Sequence, residues 1–144
     1  MNNLQPSSVK TILPTVGLVV IKDNKLLLAY SNNKKAWYLP GGKLDALETP
    51  VQALLREVEE ELNLQMEADE LRFYTHISAP AFGENINIQM EQDCYLYKLN
   101  KPIQPSNEIA AVQFFDYPSY LLEAAQVPGV IALFHKLKAD QLLF

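Results

Sequence analysis

The sequence predicts an α+β fold with a mixed β-sheet, a central helix and a second helix near the C-terminus. Three observations support this prediction: short apolar runs rich in β-branched residues, one helix with clear start and stop signals, and a helical stretch near the end of the chain. The chain has 144 residues, of which 49% are hydrophobic and 20% are charged. This balance is typical of a globular domain with one core, and we expect residues 1–144 to form a single domain.

The predicted strands lie on both sides of the central helix in the sequence. The apolar runs at residues 16–21 and 26–30 flank a short polar turn, which is typical of a β-hairpin. A short strand at residues 37–39 follows. A second helical stretch is predicted at residues 119–137, with an interruption at Pro128-Gly129. After the central helix, similar apolar patterns predict three more strands, at residues 71–76, 88–99 and 112–115.

The central helix is predicted at residues 50–62, where the sequence signals are clear. Thr49 is a suitable N-cap, Pro50 suits the first helical position, and Gln52 can complete a capping box with Thr49. Asn63 tolerates the left-handed backbone conformation that commonly ends a helix. The helix therefore has both of its ends specified by local residues.

Three glutamates lie close together on this predicted helix. At about 100° per residue, Glu57, Glu60 and Glu61 fall within one arc beside the apolar face that would pack on the sheet. Like charges at this spacing each cost a few tenths of a kcal/mol, and the helix dipole disfavours acids in the C-terminal half. A solvated acidic face is one interpretation. The other is a site for a divalent cation, and carboxylate oxygens favour Mg²⁺.

Residues around the acids support the second interpretation. Gly41 and Gly42 directly follow a predicted strand, where a ligand or a metal ion could approach bare backbone. Arg56 neighbours Glu60 on the helix surface and could orient a carboxylate by a forked hydrogen bond. Glu48 lies directly before the N-cap.

The spacing of these residues resembles the Nudix box, G-x5-E-x7-R-E-U-x-E-E-x-G-U, in which U is an aliphatic residue. The matching positions are Gly42, Glu48 and the segment R-E-V-E-E-E-L-N-L at residues 56–64. The one departure is Asn63, where the family usually has glycine. Asparagine is the next best residue for a left-handed C-cap, so we expect little effect. The resemblance implies a Nudix-like α/β/α sandwich in which the helix at residues 50–62 is the central catalytic helix.

The resemblance also implies a hydrolase that acts on phosphoanhydride bonds. Glu57, Glu60 and Glu61 would hold Mg²⁺, or alternatively Mn²⁺, with the Gly41 carbonyl as a backbone ligand. A metal-activated water would attack one phosphorus of a diphosphate.

Further roles are implied for residues around the metal ligands. Arg56 would position Glu57, whereas Gly42 and Glu48 would support the loop before the helix. The general base varies within the family. Glu57 is one candidate, and Glu108, in a loop just before the strand predicted at residues 112–115, is the other.

The substrate is less well defined than the chemistry. The short chain looks most like the branch that converts nucleoside triphosphates to monophosphates and pyrophosphate. Pro80, 16 residues after Leu64, is instead a feature of the ADP-ribose branch, so an ADP-ribose or nucleotide-sugar pyrophosphatase is an alternative. A non-catalytic, nucleotide-sensing module is an alternative of another class, which the intact acid cluster disfavours. Lys43 is a candidate phosphate contact, and Tyr74 and Phe82 are candidates for contacts with a base.

Charge and composition narrow the range of partners. The net charge of −5 argues against a surface for duplex nucleic acid, but bound metal ions can reverse the local charge for a small nucleotide substrate. No segment approaches the ~18 apolar residues of a membrane span. Cys94 is the single cysteine, which excludes an internal disulfide. We expect a cytoplasmic monomer or homodimer.

Overall fold

The computed structural model describes residues 10–84 and 87–144. Residues 1–9 of the expected domain lie outside this described part. The strands are β1 (Thr11–Val19), β2 (Ile21–Lys22), β3 (Lys25–Ser31), β4 (Ala36–Tyr38), β5 (Gly41–Lys43), β6 (Arg72–Pro80), β7 (Ile88–Leu96) and β8 (Ile109–Phe115). The helices are α1 (Pro50–Leu62), α2 (Tyr117–Tyr120) and α3 (Pro128–Ala139). None of the helices in the described ranges has the length and the apolar composition of a membrane span.

The strands form two four-stranded sheets. In sheet A the order is β5-β1-β7-β6, with β1 parallel to β7 and the other pairs antiparallel. In sheet B, β3 pairs antiparallel with β2, β4 and β8. Sheet A confirms the predicted mixed sheet, and the second sheet was not anticipated because apolar runs do not specify which strands pair.

Helices cover both faces of this β structure. Leu18 of β1 packs with Leu54 of α1 in one buried cluster. Val19, the next residue of the strand, belongs to a second buried cluster that contains Leu133 of α3. Because successive strand residues point to opposite faces, α1 and α3 lie on opposite sides. The predicted α/β/α sandwich is confirmed.

The central helix begins and ends at the predicted residues. The Gln52 amide donates to the Thr49 side chain at 3.2 Å, and the Thr49 amide donates to the Gln52 side chain at 3.0 Å. Asn63 has the left-handed conformation, with φ 54° and ψ 36°. The buried side chains of α1 form one stripe, which consists of Ala53, Leu54, Val58 and Leu62.

The first hairpin differs from its prediction. The apolar run at residues 16–21 does not form one arm, because β1 ends at Val19 and only the short β2 pairs with β3. The turn itself is in the predicted place, with Asp23 and Asn24 at φ 52° and 61°, as the tight turns of hairpins require. The continuous apolar run therefore passes from one sheet to the other.

The C-terminal helical stretch also differs. The structure has the short α2 and the longer α3 in place of one interrupted helix, and Pro128 is the first residue of α3. Proline suits this position because the first amide of a helix has no intrahelical partner. Of the later strands, β6 continues to Pro80 and β7 ends at Leu96.

Candidate active site

Glu57 and Glu61 lie where α1 passes beneath the two glycines of β5. The Glu61 carboxylate accepts a hydrogen bond from the Gly41 amide at 3.1 Å. A Cβ at Gly42 would lie 2.5–2.8 Å from the carboxyl atoms of Glu57, and a Cβ at Gly41 would lie 2.1 Å from the Val16 carbonyl oxygen. A side chain at Gly41 would collide with the backbone of the neighbouring strand, and one at Gly42 would displace the Glu57 carboxylate.

Arg56 connects the loop before the helix with the acids on it. Its Nε and Nη2 donate to the two carboxylate oxygens of Glu48, at 2.7 and 2.8 Å. Its Nη1 donates to Glu57 at 3.2 Å and to Glu60 at 3.4 Å. The fork expected of this arginine is thus made with Glu48, and contacts with the other two acids come from the remaining nitrogen.

Glu48 is held from both sides. Its carboxylate also accepts the Asp45 amide at 2.7 Å. The hydrogen bonds from Arg56, and then the one from the Asp45 backbone, lower the pKa of Glu48 to about 2. Glu48 is therefore ionised, and it fixes both the loop and the guanidinium.

Burial disfavours the ionised forms of Glu57 and Glu61. Burial is the main cause that raises the pKa of Glu61 to about 8, and the charges of Glu57, Glu60 and Glu108 raise it further. Burial also raises the pKa of Glu57, against the influence of Arg56. Such perturbed carboxyl groups in a cleft are typical of functional sites, where a bound cation would favour their ionised form.

Glu108 reaches the same cleft from the segment before β8. Its Oε2 accepts the Ser31 hydroxyl and the Asn33 amide, both at 2.6 Å. These two hydrogen bonds, in that order, lower the pKa of Glu108. Ser31 and Asn33 are site residues that the sequence analysis missed, because 75 or more positions separate them from Glu108.

The loop that carries Glu108 is attached to the C-terminal end of α1. The Gln104 and Ser106 amides donate to the Leu62 and Glu61 carbonyls, both at 2.9 Å. The Asn63 side chain donates to the Gln104 carbonyl at 2.7 Å. The last carbonyls of a helix have no partner within it, so the loop satisfies them and is positioned by them.

A cleft of about 450 Å³ contains most of these groups. Of the candidate substrate contacts, Lys43 and Phe82 line it, and Lys43 lies 3.6 Å from the Glu84 carboxylate. Tyr74 is not among the lining residues, and its hydroxyl donates to Asp140 at 2.6 Å beyond the end of α3. The pairing of β6 with β7 shifts register between Phe73 and Thr75. This shift interrupts the alternation of side chains between the two faces of the sheet, so the sequence alone does not predict the face on which Tyr74 lies.

Glu57, Glu60 and Glu61 have the oxygen donors that Mg²⁺ prefers, but their side chains are not arranged around a common point. In residues 10–84 and 87–144, no three His, Cys, Asp or Glu side chains are arranged to hold a metal ion. Glu57 and Glu60 are bonded to Arg56, and Glu61 is bonded to Gly41. All three offer carboxylate oxygens, the donors that Mg²⁺ prefers, and Gly42 leaves open backbone beside Glu57.

Comparison with known proteins shows the family to which this domain of paired glycines and clustered carboxylates belongs. The NUDIX domain model matches residues 11–134. The chain belongs to the Nudix family.

Individual relatives are similar over shorter stretches. An RNA pyrophosphohydrolase from Stutzerimonas stutzeri (strain A1501) is 42% identical over 53 residues, which are 36% of this chain and 33% of the relative. An 8-oxo-dGTP diphosphatase from Proteus vulgaris is 41% identical over 54 residues, 35% of this chain and 48% of the relative. The matched stretches thus span less than half of these relatives.

One solved structure has the same fold over nearly its whole length. The solution structure of the E. coli ORF135 protein has a TM-score of 0.70 and 21% sequence identity, and the match covers 95% of each chain. At this identity the comparison shows the fold alone.

Asn63→Gly tests how the Glu108 loop is positioned. Glycine keeps the left-handed cap but removes the side-chain hydrogen bonds to the Gln104 carbonyl and the Ser106 hydroxyl. We expect the Gln104 and Ser106 amides to exchange hydrogen about 5–100-fold faster, as the loss of two hydrogen bonds predicts. The Gln52 amide, in the cap at the other end of α1, is the internal control. Unchanged exchange at Gln104 and Ser106 would contradict the role given to Asn63.

Proposed function

We propose that the protein is a Mg²⁺-dependent hydrolase that cleaves a diphosphate linkage in a nucleotide, with a nucleoside triphosphate converted to a monophosphate and pyrophosphate. The observation that carries this proposal is the position of Glu57 and Glu61 beneath Gly41 and Gly42, in one cleft with Glu108. Carboxylates whose ionisation is opposed by burial and mutual repulsion are stabilised by a divalent cation that also binds phosphate oxygens.

The residues of the site have distinct parts in this reaction. Glu57, Glu60, Glu61 and the Gly41 carbonyl would hold Mg²⁺ or Mn²⁺. When bound, the ion supplies an activated water and neutralises charge on the diphosphate oxygens. Arg56 keeps Glu57 and Glu60 near the cleft while its main bond to Glu48 fixes its own direction. Arg56 is therefore a positioning residue.

Glu57 is the better candidate for the general base. Its raised pKa brings it closer to neutral pH, where a base is most effective. Glu108 has a lowered pKa because it accepts two hydrogen bonds from Ser31 and Asn33. These bonds weaken it as a base but keep it ionised, which suits a carboxylate that faces a cation.

The names of the relatives and the cleft together support a nucleotide substrate. The relatives from Stutzerimonas stutzeri and Proteus vulgaris are named for pyrophosphohydrolase and diphosphatase activities. The cleft contains both apolar side chains and the charged group of Lys34, Lys43 and Glu84, in which Glu84 pairs with both lysines. Lys34 and Lys43 are available to phosphates that extend beyond the acid cluster if Glu84 turns away.

Glu60→Gln and Glu59→Gln form a matched pair for the metal assignment. Each variant is assayed with Mg²⁺ and a panel of nucleoside triphosphates, ADP-ribose, a nucleotide sugar and 5′-triphosphorylated RNA. We expect Glu60→Gln to lower kcat by about 10²-fold or more, because a metal ion contributes several kcal/mol to catalysis. Glu59 bonds to Gln65 at 3.2 Å instead of Arg56, so Glu59→Gln should retain wild-type activity.

The outcome of the panel also decides between the alternatives. Full activity of Glu60→Gln would refute the metal assignment. Faster hydrolysis of ADP-ribose or a nucleotide sugar than of any triphosphate would replace the proposed substrate class. Tight nucleotide binding by the wild-type protein without product release would indicate a sensing module.

Glu57→Gln and Glu108→Gln distinguish the two candidate bases. We expect Glu57→Gln to lower kcat by about 10²–10⁴-fold, the usual contribution of general base catalysis, and Glu108→Gln to cause a smaller loss. At limiting Mg²⁺, activity of the wild type should rise with pH, because Glu57 and Glu61 have raised pKa values in the metal-free protein and must lose their protons to hold the ion, and Glu108→Gln should keep this pH dependence. An equal or larger loss in Glu108→Gln would assign the base to Glu108.

A further inference from the structure

The side chain of Thr15 is a buried polar group that the reaction chemistry does not use. Thr15 lies on β1, is 9% exposed and lines the cleft. Its hydroxyl is buried and has no hydrogen-bond partner, and among the buried side-chain polar atoms of the described residues only the Tyr97 hydroxyl shares this property. A buried hydroxyl without a partner destabilises a fold, so each instance calls for an explanation. Tyr97 is outside the cleft, in the cluster beneath α1.

The neighbours of Thr15 show where it lies in the cleft. In sheet A the strand order places β1 between β5, which carries Gly41 and Gly42, and β7. Thr15 is the register partner of Gln92 on β7, and Gln92 also lines the cleft. Two strand spacings of about 4.8 Å separate β5 from β7. On β5 the register partner of Thr15 is Lys43, which follows the two glycines and also lines the cleft. The cleft floor therefore extends roughly 10 Å from Lys43, past Thr15, to Gln92.

Gln92 lies against β1 because of Gly17. A Cβ at Gly17 would lie 3.1 Å from the Gln92 side-chain nitrogen and 2.8 Å from a methyl carbon of Leu39. The absence of a side chain at Gly17 thus leaves room for the carboxamide of Gln92 next to the strand that carries Thr15. A hydroxyl and a carboxamide on adjacent strands provide both donors and acceptors.

The remaining walls of this part of the cleft are apolar and aromatic. They consist of Leu13, Leu39, Met90, Phe82 and Tyr38. The Phe82 and Tyr38 rings are 6.2 Å apart in an edge-to-face arrangement, and the Tyr38 hydroxyl donates to the Phe82 carbonyl at 3.1 Å. Apolar walls with a few fixed polar groups are typical of pockets for small molecules, and a flat, mostly apolar ring with a polar edge fits this description.

We propose that Thr15 is a base-recognition residue, whose hydroxyl hydrogen-bonds to the polar edge of the substrate's base beside the carboxamide of Gln92. This inference rests on the proposed function, because it places the diphosphate at the acids near β5 and the nucleoside across β1. The ligand supplies the partner that the Thr15 hydroxyl lacks within the protein. The hydroxyl therefore lowers the stability of the free protein and contributes to selectivity between bases.

Thr15→Val separates these two effects, because valine keeps the shape of the side chain and removes the hydroxyl. In the free protein we expect the Tm to rise by about 3–5 °C, since an unpartnered buried polar group is removed. With ribo- and deoxyribonucleoside triphosphates of all four bases, we expect kcat/KM for the preferred base to fall by about 3–10-fold, the loss of one hydrogen bond. The other bases should lose less, so that the selectivity between bases decreases.

Tyr97→Phe is the matched control, because it removes the other buried hydroxyl without a partner among the described residues. It should keep or raise the Tm and leave kcat/KM unchanged for every base. This control shows whether loss of a buried hydroxyl alone alters catalysis.

Several results would overturn the inference. A lower Tm in Thr15→Val would show that the hydroxyl serves the fold. Equal losses for all bases, or a larger loss with ribo- than with deoxyribonucleotides, would assign Thr15 to the phosphates or the sugar. A wild type without base preference, or unchanged kcat/KM in Thr15→Val, would also contradict it. In each of these cases the wild-type protein still hydrolyses nucleotides. A wild-type protein that hydrolyses no nucleotide would instead contradict the proposed function.

Discussion

Repulsion between neighbouring carboxylates is the constraint on which this structure depends. Glu57 and Glu61 are partly or largely buried where α1 meets β5, and the charges of Glu60 and Glu108 act on the same place. Two like charges 4 Å apart repel by about 1 kcal/mol in water and about 4 kcal/mol at an effective dielectric constant of 20. The protein moderates this cost in two ways. Arg56 donates to Glu57 and Glu60, and the high pKa of Glu61 keeps that carboxyl protonated near neutral pH.

The C-terminal end of α1 carries acids of the cluster and also binds the loop that leads to Glu108. Acids in the last turns are unfavourable for the helix dipole, yet the carbonyls at this end all receive hydrogen bonds. Asn63 caps Glu59, and the loop at residues 104–107 caps the next three carbonyls. The same loop leads directly to Glu108. The helix end thus gains the partners it lacks, and the cleft gains the Glu108 carboxylate through the same contacts.

Local features of this structure were predictable from the sequence. The bounds of α1, the capping box at Thr49 and the left-handed Asn63 follow from residues that are adjacent in the chain. The close packing of Gly42 on Glu57 is consistent with the motif spacing. Contacts between distant segments were not predictable in this way. The sequence did not indicate that Ser31 and Asn33 hold Glu108, nor that the parallel pairing of β1 with β7 places Thr15 next to Gln92.

Calorimetric titration with Mg²⁺, in buffers with different ionisation enthalpies, tests the central claim most directly. A carboxylate must lose its proton to bind a metal ion. Because the pKa of Glu61 is about 8, most of the free protein carries this proton at pH 7. The account predicts that Mg²⁺ binding at pH 7 releases about one proton per chain, that the release decreases towards pH 9, and that Glu61→Gln removes most of it. Absence of Mg²⁺ binding, or binding without proton release at pH 7, would contradict the account.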